Sequence, residues 1–117
     1  MRIFLRTLSL IFAILFVWAA YVQYNDPDAL LWYAVYGVAA LASLLFFFNK
    51  LNYFIAATLC VGYLIGAFVI WPVKFEGVSI GEGDITNIER GRESLGLLVV
   101  ALVMIIYALY LRYTKKL

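Results

Sequence analysis

The chain has 117 residues, 67% of them hydrophobic and 14% charged, with a net charge of +2 and a mean hydropathy of +0.99. Soluble domains lie nearer about 45–50% apolar and about 25% charged, so a soluble globular domain is excluded and a membrane protein indicated. There is no histidine and one cysteine, Cys60, which removes histidine-ligated haem and zinc, histidine-assisted nucleophiles and Cys-x-x-Cys redox pairs as chemistries of this chain alone. No metal, cofactor or nucleic-acid partner is expected.

A spanning helix needs about 20 mainly apolar residues, and four segments qualify. The first is 3–24. Arg2 and Arg6 ahead of an apolar core ending near Ala19 and Ala20 also fit a signal peptide, but the segment is counted here as a span. The second is 29–48, after the join "NDPD", and the third 51–72, after the join "NK". Joins this short make consecutive helices antiparallel neighbours. The fourth is apolar over 95–111 and is predicted to run from 87 to 113, because Thr86-Asn87-Ile88-Glu89 has the form of a capping box. The outer loop 73–86 alternates apolar and polar residues, which reads as a short hairpin or an interfacial lid. The expected fold is all-α, an integral membrane four-helix antiparallel bundle forming a single transmembrane domain, 1–117.

Charge sets the expected orientation. Arg2, Arg6, Lys50, Arg112, Lys115 and Lys116 fall on one side; Asp26, Asp28, Glu76, Glu82, Asp84, Glu89 and Glu93, all seven acids, fall on the other. By the positive-inside rule both termini are cytoplasmic. The bacterial inner membrane is the expected location. Trp18, Trp32 and Trp71 then form an outer aromatic belt, and Tyr107, Tyr110 and Tyr113 mark the inner interface. Gly62 and Gly66 make a GxxxG pattern, and Ala39 and Ser43 repeat the spacing on the second helix. These are packing faces within the bundle, with a homodimer seam through the glycines as the alternative.

Two polar stretches interrupt the apolar chain. In "QYNDPD", Asp26 is placed to cap the second helix, Pro27 to take its first position and Asp28 to face the positive end of its dipole. Capping leaves Gln23 and Asn25 unexplained. In "TNIERGRESLG", Glu89, Arg92, Glu93 and Gly96 recur three and four apart and share a helix face, while Arg90 points toward water or headgroups. Both stretches belong to the outer side, and ionisable groups facing inward there need partners. Asp28, Trp32 and Tyr36 continue down the second helix in four-residue steps. Gln23, Asn25, Asp26, Asp28, Trp32, Tyr36, Glu89, Arg92 and Glu93 are therefore either a structural clasp or the lining of a ligand pocket.

The same residues carry a resemblance. "QYNDPDALLWYAVY" and "ERGRESLGL" resemble the transmembrane protein 220 family over essentially the whole chain, with Arg90 standing where an acidic or neutral residue is expected. The resemblance implies four membrane helices and this choice of site, and assigns no reaction. The expected function is a non-catalytic accessory or scaffold subunit, in contact with the lipid bilayer and a larger membrane complex. The alternative is binding or transport of a small anionic ligand, a lipid headgroup or a hard cation. Four carboxylates suit calcium, whereas Arg92 favours an anion. An enzyme is not expected, since no nucleophile elbow, phosphate loop or metal triad is present.

Overall fold

The computed structural model describes residues 2–72, 74–75 and 83–115, with side chains as far as residue 113. Most of the loop expected as a hairpin or lid lies outside these residues. Helix α1, Arg2–Tyr21, passes into a 3-10 turn, Val22–Asn25; α2 is Ala29–Phe47, α3 Tyr53–Val69 and α4 Ile85–Lys115. No strand occurs among the described residues. Among the described residues three segments are long and apolar enough to cross a membrane: Arg2–Asn25, Ala29–Phe47 and Ile85–Tyr113. Helix α3, expected over 51–72 as a fourth span, has only 17 residues, at the lower edge of the spanning range of about 17–25. It is short because Asn52 caps its start and Pro72, which has no N–H, stands beyond its end.

The helices fall into two compact units, Met1–Leu51 and Asn52–Leu117, each an antiparallel hairpin. In the first, Arg6 at the start of α1 donates its Nε to the carbonyl of Phe47 at the end of α2, at 3.0 Å. Its guanidinium also lies 5.1 Å from the centre of the Phe47 ring, a cation–π arrangement. Leu5, Ser9, Ala13 and Phe16 are buried on α1, and Ala39, Ala40, Ala42, Ser43 and Phe46 on α2. Small residues dominate this set, as close helix packing in lipid requires. The Ser9 hydroxyl is satisfied by the Arg6 carbonyl at 2.7 Å.

The end of α2 shows how completely a helix terminus is closed. Asn49 has φ 61°, the left-handed conformation that asparagine tolerates. It donates to Phe46 O at 3.0 Å, Lys50 donates to Leu45 O at 2.7 Å and Phe48 to Leu44 O at 3.0 Å. This is a Schellman closure, and Arg6 takes the Phe47 carbonyl that it leaves.

The second hairpin repeats the device with the order of the partners reversed. Arg90, in the second turn of α4, donates Nε to Ile70 O at 3.2 Å and Nη2 to Val69 O at 3.3 Å, closing the end of α3. At the other end Arg112 of α4 lies 6.0 Å over the Tyr53 ring of α3. Between them Gly66 brings the helices close, for a Cβ added there would meet Leu97 Cδ1 at 3.3 Å. Gly62 faces open space, with nothing within 4 Å, so only one glycine of the pattern is at this packing contact.

Helix starts follow one rule. Asp26, Asn52 and Asp84 each accept a hydrogen bond from the amide two residues on, at 2.7, 2.7 and 2.9 Å. For α4 the capping residue is therefore Asp84, and Thr86 is the amide donor. The helix begins at Ile85, two residues before the expected position. For α2 Asp26 makes the expected capping bond, yet Pro27 and Asp28 form a turn and regular helix starts at Ala29.

Candidate functional site

The polar stretch of the first hairpin is largely closed on itself. Gln23 donates Nε2 to Ala19 O at 3.2 Å, and its own carbonyl accepts from the Asp26 amide at 2.9 Å. Asp26 is occupied with the Asp28 amide. Gln23, which capping left unexplained, is thus the residue that finishes the 3-10 turn at the end of α1. Asn25 and Asp28 are exposed. Below them Trp32 and Tyr36 pair, with ring centres 6.2 Å apart and planes at 33°.

Trp32 departs from the belt expected of it. Trp18 and Trp71 are 62% and 43% exposed, but Trp32 is 5% exposed, and its indole Nε1 has no hydrogen-bond partner among the described residues. Tyr107 likewise is buried at 1%, a core residue rather than an interface marker, because it falls on the inward stripe of α4.

That stripe runs through Ile88, Gly91, Ser94, Leu97, Ala101, Met104 and Tyr107, all buried. Glu89 and Arg92 lie beside it, exposed, and Glu93 is half-buried. The charged face is thus adjacent to the packing face. Arg90, expected to reach water or headgroups, instead turns onto the end of α3. Ser94 is the residue that sequence reasoning passed over. It is fully buried, and its hydroxyl has no partner among the described residues. Its place three residues after Gly91 and before Leu97 was the available signal.

Two hairpins built on long apolar helices, each with small buried residues and a polar end, define an integral membrane helical protein. The family model described as "Transmembrane family 220, helix" matches residues 15–109, and the chain belongs to that family. No solved structure matches the chain. The match takes in both polar stretches and all four helices in whole or part.

Proposed function

We propose that the chain is a non-catalytic accessory or scaffold subunit of a larger membrane assembly, and that the polar first turns of α4 are the part it presents. The supporting observation is the length of α4. It has 31 residues, about 46 Å at 1.5 Å per residue, against a hydrocarbon core of about 30 Å. Its apolar run begins at Leu95, so residues 85–94 continue about 15 Å toward or past the membrane boundary as helix rather than loop. Exposed Glu89 and Arg92 are held there at a fixed spacing, and Arg90 ties this segment to α3. A rigid surface carrying both signs of charge favours one partner orientation over others. The lysine and arginine asymmetry supports cytoplasmic termini and a docking end on the opposite side.

A photocrosslinking residue placed at Glu89 in native membranes is expected to give one discrete adduct, with its yield cut at least fivefold by Arg92→Glu. A smear of adducts, or a yield indifferent to Arg92, would sink the proposal.

The buried Trp32 indole favours a second reading, a small molecule bound within the first hairpin. A buried donor without a partner costs about 1–3 kcal/mol, and ligands or ordered waters are what relieve such atoms. On this reading a mass co-purifies with the protein, and Trp32→Phe, which deletes the N–H and keeps an aromatic ring, lowers its occupancy severalfold. Equal occupancy in the variant ends it.

A further inference from the structure

On the second hairpin a groove of about 630 Å³ runs along α3, lined by Leu64, Ala67, Phe68 and Trp71, with Leu98 of α4 also contributing. Leu64, Ala67 and Phe68, three and four apart on α3, form one stripe about a turn long, and Trp71, just past the end of the helix, continues it. The volume falls within the range of small-molecule sites, about 300–1,000 Å³. Its walls are apolar, but one end is not. Trp71 marks that end, its ring stacked 5.4 Å from Phe75 at 15°, and Lys74 between them in sequence is exposed. Arg90 reaches the same end, since it bonds the carbonyls of Val69 and Ile70 immediately before Trp71. Those two bonds use two of a guanidinium's five N–H donors and leave its charge in place.

We propose that the groove holds one acyl chain of an anionic phospholipid, with the lipid phosphate at Arg90 and Lys74. In a bilayer, acyl chain is the material that meets an apolar lateral groove. Tryptophan belongs at headgroup depth, where Trp71 bounds the groove. Guanidinium and ammonium groups recognise phosphate, and basic clusters beside membrane helices collect anionic headgroups. Glu89 precedes Arg90 directly and Glu93 follows it by one turn, so a headgroup with one negative charge fits better than a multiply charged one. The inference does not depend on the docking role of α4.

The test uses the full-length protein in detergent micelles, titrated with phosphatidylglycerol carrying brominated acyl chains and followed by tryptophan quenching. A saturable component at one lipid per chain is expected, at least fivefold weaker for phosphatidylcholine with the same chains. Native mass spectrometry should show retained lipid falling at least tenfold in Leu98→Trp, which fills the groove, and at least threefold in Lys74→Gln, an exposed site. Quenching that rises without saturation overturns the proposal, and so does equal affinity for the two lipids. The wild-type titration decides alone if Leu98→Trp does not fold.

Discussion

Arg90→Ala is expected to lower the unfolding free energy by about 2 kcal/mol, the range for hydrogen bonds from a charged donor. Helix α3 ends where Pro72 can supply no amide, and the guanidinium is what meets Val69 O and Ile70 O. Both carbonyls lie where the chain leaves an apolar span, and an unpaired carbonyl at low dielectric is costly. The positive charge also faces the negative end of the α3 dipole, worth about 0.3–1 kcal/mol more. Arg90→Lys should recover the dipole contribution and lose the fork. The loss should appear as faster amide exchange over residues 66–71, with α1 and α2 unchanged. Exchange that rises equally in all four helices would show that Arg90 acts on the whole chain rather than on the end of α3.

Gly66→Leu is expected to cost about 1–3 kcal/mol, the usual penalty for forcing volume into a packed contact, while Gly62→Leu should stay within about 0.5 kcal/mol. The contrast follows from the space at each residue. A Cβ on Gly66 already meets Leu97 at 3.3 Å, and one on Gly62 meets nothing within 4 Å. Leucine is the better helix former at both positions, so intrinsic propensity cannot explain a loss at either. Unfolding of the reconstituted protein in sodium dodecyl sulfate measures both. A homodimer seam through the glycines would reverse the order in the dimer fraction, with Gly62→Leu the disruptive change.

The four helices were legible because a long apolar run is a strong signal, and because Asp26 sits where a helix must start; the cap of α3, Asn52, was not read, and that helix was begun at 51. Asp84 was overlooked in favour of Thr86. Threonine followed three residues later by glutamate fits the capping box, but aspartate two residues earlier accepts from the Thr86 amide itself. Arg6 and Arg90 were seen as charges that orient the chain or face water. Their partners are main-chain carbonyls 41 and 20 residues away, which leave no trace in side-chain spacing. The polar residues of "QYNDPD" were singled out as unusual, and Gln23 bonds the carbonyl four residues back in its own hairpin arm, a local contact that a search for long-range partners passes over. The burial of Trp32 could not be read from position, since a tryptophan near a helix end suits an interface equally well.

The two arginine closures differ in when they can form. In the first hairpin Arg6 is made 41 residues before Phe47, so the cation is already present when the end of α2 is made. In the second, Val69 and Ile70 come first and Arg90 follows 20 residues after Ile70. At about 5–20 residues per second, Arg90 is therefore made roughly one to four seconds after the carbonyls that it closes. The closing cation is made before the helix end in the first hairpin and after it in the second, so α3 is the helix whose end is closed by residues not yet made when its own are.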